Sequence, residues 1–109
     1  MKKSDVIEFY GETCPHCLSM KPVVEKIEKD QKQTIEKLEV WNNKKNQTKM
    51  KEYEEIISKA CGGFAAVPSF VNTKTMQALC GAHDEEDIVA LMQGADCSNN
   101  VCKIHTKMK

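Results

Sequence analysis

The feature that most constrains the fold of this chain is a Cys-Pro-His-Cys sequence at residues 14–17, which lies between two segments of different apolar pattern. The segment 6–10 is β-prone and nearly continuously apolar, which is typical of a strand that is covered on both faces. Beyond the motif, apolar residues recur at three- and four-residue steps, which predicts an amphipathic helix over about residues 14–30. We therefore expect both cysteines where a buried strand passes into a helix.

Further apolar patterns predict an alternation of strands and helices along the chain. The predicted elements are a strand at 35–41, a polar loop at 42–46, a helix at 50–61, a β-hairpin of strands 69–72 and 76–80, and a last helix that is capped by Asp84 and ends at Gly94. The order β-α-β-α-β-β-α predicts an α/β fold in which a four-stranded mixed sheet carries helices on both faces.

Length and composition exclude several functional classes. The 109 residues support one domain, which we place at residues 1–94, followed by a polar, cysteine-containing tail at 95–109. The 16 basic and 16 acidic residues cancel, which argues against a nucleic-acid-binding surface. No apolar run approaches the roughly 20 residues of a membrane helix, and the first residues lack the apolar run of a signal peptide. We expect a cytoplasmic monomer that binds neither nucleic acid nor membrane and uses no cofactor.

The position of the two cysteines at the start of a helix makes their thiols reactive. A helix N-terminus offers unpaired N–H groups and the positive end of the helix dipole, and both stabilise a thiolate. Pro15 suits a first helical turn, and His16 adds a cationic or donor group beside Cys14. We expect Cys14 to be the exposed, attacking thiol and Cys17 to face inward one turn later. A C-x-x-C sequence at such a junction favours a redox site.

The alternative interpretation of the motif is a structural or zinc-binding pair of cysteines. Zinc usually takes four ligands, often two C-x-x-C pairs or one such pair with two histidines. The remaining candidates are Cys97, Cys102, His83 and His105, and none has the spacing of a known zinc finger. We therefore predict no metal site, and retain a metal-carrying binding module as an alternative function.

The segment from Val6 to Cys17 resembles the active-site segment of the thioredoxin superfamily, and its Cys-Pro-His-Cys motif is that of the DsbA branch. The resemblance covers roughly residues 4–93. It includes Pro22, where thioredoxins carry a proline inside the helix, and Val67-Pro68, where they carry a cis-proline before the hairpin. The chain departs from the family pattern by its short N-terminal part, by Thr13 in place of tryptophan, and by the absence of the helical insertion of DsbA.

The resemblance implies roles for three further residues. Glu8 lies six residues before Cys14, where family members place a buried acid, and it would exchange a proton with Cys17. Pro68 would be cis and face the dithiol, and the backbone of Val67 would pair with an extended substrate segment. The implied activity is that of a protein thiol–disulfide oxidoreductase whose partners are protein thiols or disulfides and an unidentified electron donor or acceptor.

A glutathione-dependent, glutaredoxin-like reductase is a second alternative function. The segment Gly81–Asp84 echoes the glutaredoxin loop that holds a glutathione carboxylate at a helix N-terminus. One glycine of that loop is replaced here, and no threonine precedes Pro68.

The other four cysteines are expected to have less defined roles. Cys61 and Cys80 lie beside apolar residues, and we predict them to be small buried core residues. Cys97 and Cys102 are separated by a Ser-Asn-Asn-Val spacer that can turn, so a local bridge is feasible. They are either tail thiols without function or a second dithiol that exchanges electrons with Cys14 and Cys17.

Overall fold

The computed structural model describes residues 2–98 and 100–103 of the chain. Its elements are β1 Lys2–Tyr10, α1 Pro15–Gln31, β2 Gln33–Glu39, α2 Lys44–Lys51, α3 Glu54–Cys61, β3 Ser69–Asn72, β4 Gln77–Cys80, α4 Glu85–Met92, β5 Asp96–Ser98 and β6 Val101–Lys103. None of the helices in these two ranges combines the length and the apolar character that a membrane span requires.

The sheet brings three chain segments together at one end of its strands. Its strand order is β2-β1-β3-β4, with β1 and β2 parallel and the pairs β1–β3 and β3–β4 antiparallel. Phe9, near the end of β1, pairs with Ser69 at the start of β3, and Ser69 pairs with Cys80 at the end of β4. The segments that follow β1, precede β3 and follow β4 therefore meet, and the predicted α/β fold with a four-stranded mixed sheet is confirmed.

Alternating side chains of β1 supply two apolar cores, one on each face of the sheet. Val6 packs in a cluster with Val24 and Ile27 of α1 and with residues of α4. Ile7 and Phe9 lie in the other cluster, which contains residues of α3. Helices cover both faces of the sheet at β1. This coverage explains why the sequence of β1 is apolar almost without interruption.

The helix that follows the cysteine motif forms as its apolar spacing predicts. Cys17, Met20, Val24 and Ile27 are its buried residues, at steps of three and four. Pro22 lies inside α1, where its ring removes one backbone donor. This face of α1 buries Cys17 against the sheet.

The middle of the chain differs from the prediction of one polar loop and one helix. The structure has two helices there, α2 and α3, and the predicted loop at 42–46 overlaps the start of α2. None of the residues of α2 is buried, so its sequence carries no apolar period to predict a helix. The local signal is its cap, since the Asn43 side chain accepts the Asn46 N–H at 3.0 Å.

Strands β5 and β6 pair in antiparallel fashion, which the prediction of a polar tail did not include. A disulfide joins Cys97 and Cys102, and Cys102 packs in the core cluster of α1 and α4. The Asn100 side chain accepts the N–H of Cys80 at 2.7 Å and donates to its carbonyl at 2.9 Å. Residues 104–109, with His105, lie outside the described residues, and the domain boundary at residue 94 stays a prediction.

The prediction that Cys61 and Cys80 are small buried core residues is wrong. The two form a disulfide that joins the end of α3 to the end of β4, and both are only partly buried. Burial of a small apolar side chain and formation of a bridge give the same sequence pattern, and only the register of the sheet brings these two cysteines together.

Candidate active site

Cys14 caps the N-terminus of α1 with its sulfur. Its backbone is extended, with φ −71° and ψ 118°, and its Sγ accepts the backbone N–H of Cys17 at 3.2 Å. The sulfur therefore faces the unpaired N–H groups and the positive dipole end of the helix, where a thiolate is stabilised. The carbonyl oxygen of Val67 lies 4.0 Å from the same sulfur.

The expected contrast between an exposed Cys14 and an inward Cys17 is wrong. Cys14 is 4% exposed and Cys17 is 3% exposed, and neither forms a disulfide. The sequence could not show this burial, because it depends on the segment before β3, which brings Val67 to within 4.0 Å of Cys14 Sγ. The Val67 carbonyl thus covers one side of the Cys14 sulfur.

The surroundings of Cys17 disfavour its thiolate form. Its Sγ accepts the Gly11 N–H at 3.5 Å. Burial first, and then the hydrogen bond with Cys14, raise the pKa of the Cys17 thiol well above its ordinary range. Cys17 therefore needs a proton acceptor before it can attack a disulfide.

Glu8 lies on the same face of the sheet and is suited to that exchange of protons. It is 5% exposed, and burial raises the pKa of its carboxyl from 4.5 to about 7, with the charge of Lys37 opposing the rise. A cavity of about 290 Å³ is lined by Glu8, Cys17, Lys21 and Lys37 among others. Its volume admits water between the carboxyl and the thiol.

The segment before β3 carries the residues predicted to contact substrate. The Val67–Pro68 peptide bond is cis, and the Pro68 carbonyl accepts the Gly81 N–H at 2.7 Å. The segment begins after Cys61, whose disulfide with Cys80 ties its start to the sheet. Both ends of the loop that presents Val67 to Cys14 are therefore fixed.

Pro15 and His16 lie at the surface of the first turn of α1. The His16 carbonyl accepts the Ser19 hydroxyl at 2.8 Å, which leaves the backbone of this turn well anchored. The imidazole is exposed two residues after the Cys14 cap, where a positive charge would add to that of the helix dipole.

Three residues near the site were missed by sequence reasoning, namely Gly11, Glu39 and Trp41. Gly11 supplies the N–H on Cys17, and the Trp41 ring occupies the space that a Cβ on Gly11 would need. Glu39 binds the backbone on both sides of this contact. The sequence signal for Gly11 was its place directly after a buried strand. No sequence pattern marked Glu39 or Trp41.

The remaining cysteines and histidine do not gather around the pair. Cys97 and Cys102 bond to each other, and the two ring nitrogens of His83 lie 2.9 Å from Asp87 Oδ2 and 3.0 Å from the Cys80 carbonyl. Within residues 2–98 and 100–103, no three His, Cys, Asp or Glu side chains are placed to hold a metal ion.

A family model described as Thioredoxin matches residues 1–94, which is most of the chain. No curated protein matches the sequence.

Proposed function

Since the chain belongs to the thioredoxin family, we propose that it is a thiol–disulfide oxidoreductase that exchanges disulfides with protein substrates through Cys14 and Cys17. The observation that carries this proposal is the cap of α1, where Cys14 Sγ accepts the Cys17 N–H at 3.2 Å while both thiols are free. This arrangement supplies an attacking thiolate and a second thiol within one helical turn.

The reducing reaction begins at Cys14. Its thiolate attacks one sulfur of a substrate disulfide, that disulfide breaks, and a mixed disulfide with Cys14 forms while the other substrate sulfur leaves as a thiolate and takes up a proton. The backbone of Val67, 4.0 Å from Cys14 Sγ, is placed to pair with an extended substrate segment.

The second step resolves the mixed disulfide. Glu8 accepts the proton of the Cys17 thiol through the cavity that both residues line. The Cys17 thiolate attacks Cys14 Sγ, and the Cys14–Cys17 disulfide forms as the second substrate sulfur leaves. Two electrons have then passed to the substrate, and the reverse sequence oxidises a substrate dithiol.

His16 and Pro15 tune the attacking residue. The exposed His16 side chain, in its protonated imidazolium form, stabilises the Cys14 thiolate. Pro15 takes a position in the first helical turn that needs no N–H donor. Stabilising the thiolate favours the reduced state, which makes the pair more oxidising.

Insulin-disulfide reduction with a dithiol donor tests the proposal. We expect turnover in the wild type, none in Cys14→Ser, and a trapped mixed disulfide in Cys17→Ser. Glu25→Gln, at an exposed position of α1, is the control and should keep the turnover of the wild type. Turnover that survives Cys14→Ser would refute the proposed role.

The two alternative functions are open to direct measurement. A zinc-carrying module predicts stoichiometric zinc in freshly purified protein, although four of the six cysteines already form disulfides. A glutathione-dependent reductase predicts turnover with glutathione as the only donor, in which Gly81–Asp84 would hold the glutathione carboxylate.

The two disulfides also bear on location. The sequence pattern predicts a cytoplasmic protein, but cytosolic thiols are normally kept reduced. The bridges Cys61–Cys80 and Cys97–Cys102 instead favour a compartment that is more oxidising than the cytosol. Alkylating the thiols of intact cells and counting the modified cysteines after denaturation tests this. In a cytoplasmic protein the four bridged cysteines would be reduced and would be alkylated.

A further inference from the structure

We propose that Glu39 is a positioning residue for the second step of the exchange, because its carboxylate fixes the turn that aims the Gly11 N–H at the Cys17 sulfur. The proposal rests on the proposed function, in which Cys17 is the resolving thiol. Glu39 touches neither sulfur, and it acts through the backbone of the segment between β1 and α1.

The Glu39 carboxylate joins two segments of the chain. Its Oε2 accepts the backbone N–H of Glu12 and that of Trp41, both at 3.0 Å. Its Oε1 accepts the Asn42 N–H at 2.9 Å. The end of β2 and the turn after β1 are thus held by one side chain that makes three charge-assisted bonds.

The turn that Glu39 holds carries the contacts to both cysteines. Gly11, next to Glu12, donates its N–H to Cys17 Sγ at 3.5 Å, and its carbonyl accepts the Cys14 N–H at 3.2 Å. The Tyr10 carbonyl, in the same peptide as the Gly11 N–H, accepts the Val40 N–H at 2.8 Å and fixes one side of this donor, while Glu39 fixes the peptide that follows Gly11.

Trp41 fixes the same turn from the other side. A Cβ on Gly11 would overlap the indole ring, so the ring lies directly over this residue. Trp41 is 49% exposed, and its backbone N–H is bound to Glu39 at 3.0 Å. Glu39 thus sets the positions of Glu12 and of Trp41, the two neighbours that confine Gly11.

The Gly11 N–H matters most when Cys17 ionises. Burial raises the pKa of the Cys17 thiol most strongly, and the hydrogen bond from Gly11 is the interaction that lowers it. Losing this bond would make the resolving thiolate harder to form, whereas the attack by Cys14 does not require it.

The requirement is for a carboxylate and not only for a polar side chain. Burial raises the pKa of the Glu39 carboxyl, but the N–H groups of Asn42, Glu12 and Trp41 outweigh it and hold the pKa below its usual range. A glutamine would turn an NH₂ group toward one of these donors, and at least one bond would be lost.

The reaction of the reduced protein with a symmetric aromatic disulfide, 5,5′-dithiobis(2-nitrobenzoate), separates the two steps. The first coloured thiolate is released when Cys14 attacks, and the second is released when Cys17 resolves the mixed disulfide. We expect Glu39→Gln to slow the second release about tenfold at neutral pH, to move its pH midpoint upward, and to slow the first release much less than the second.

Glu36→Gln is the matched control, because Glu36 lies on the same strand and its carboxylate pairs with the exposed Lys3 at 3.8 Å. Glu39→Asp keeps the charge, should recover part of the second rate, and serves if the glutamine variant does not fold. A second release that is as fast in Glu39→Gln as in Glu36→Gln overturns the inference. If the wild type shows no two-step release, the proposed function itself fails.

Discussion

Glu8 and Cys17 line the same cavity, of about 290 Å³, on the α1 side of the sheet. Each side chain is buried, and the cavity between them has room for water that could carry a proton from one to the other. The same burial that raises the pKa of both groups makes Glu8 costly to keep ionised.

We expect the Glu8→Gln variant to be more stable than the wild type at alkaline pH. The pKa of the Glu8 carboxyl is about 7 in the folded chain against an ordinary 4.5, a difference worth about 3 kcal/mol. Below pH 4.5 the Glu8 carboxyl is protonated in both the folded and the unfolded chain, so its ionisation does not reduce the free energy of unfolding. Between pH 4.5 and 7 the unfolded chain binds fewer protons, and stability falls as the pH rises.

Urea unfolding of the reduced protein at pH 4 and pH 8 measures this difference. The wild type and the Glu8→Gln variant should unfold at similar urea concentrations at pH 4, and the variant should gain up to about 3 kcal/mol at pH 8. Glu36→Gln, at an exposed carboxylate, is the control and should show little change. Equal stabilities of the wild type and the Glu8→Gln variant at pH 8 would show that Glu8 is not desolvated.

Replacing His16 with Pro should lower the proportion of Cys14 that is present as thiolate. The exposed imidazole lies in the first turn of α1, and its removal leaves the helix N-terminus as the main source of positive potential. The rate at which iodoacetamide alkylates Cys14 at pH 6 should fall several-fold in the His16→Pro variant. The same rate should be unchanged in the control variant Glu25→Gln, at an exposed position of α1. An unchanged rate would remove His16 from the site.

The Cys61–Cys80 disulfide should be the more stabilising of the two bridges. It closes a loop with a sequence separation of 19, against 5 for Cys97–Cys102, and loop-closure entropy assigns them about 3 and about 2 kcal/mol. Chemical unfolding of the two double alanine variants compares them directly. The reverse order would mean that native packing, and not the closed loop, sets their contributions.

Cys97→Ser/Cys102→Ser tests whether the second pair takes part in electron transfer. Cys97 lines a surface cavity of about 460 Å³ beside Lys59 and Asn100, so a partner thiol can approach it, and Cys102 lies buried behind it. If the pair exchanges electrons with Cys14 and Cys17, the variant should slow turnover with the physiological donor. Unchanged turnover and an unchanged redox state of the active-site pair would leave the bridge a structural role.

The sequence predicts those parts of the fold that are set by local pattern. The apolar spacing of α1, the strand before the motif and the hairpin of β3 and β4 were all found, because each has a period that burial imposes. α2 was missed since it buries nothing, and β5 and β6 were missed since three residues are too few for a period.

Long-range register explains what was missed at the site. The role of Glu39 depends on the parallel pairing of β1 and β2, which brings the end of β2 beside the turn after β1. The Cys61–Cys80 bridge depends in the same way on where β4 ends. Neither contact leaves a mark in the residues near it along the chain.

The hairpin at residues 96–103 has a consequence for solubility. β4 is an outer strand of the sheet, and unpaired outer strands invite other chains to add to them. Asn100 takes up the backbone groups of Cys80, and the Gln77 side chain accepts the Cys97 N–H at 2.9 Å, so the chain covers this strand with its own hairpin. β2, the opposite outer strand, carries Glu36, Lys37 and Glu39, charges that discourage such addition. Losing the hairpin would therefore turn β4 into a template for aggregation.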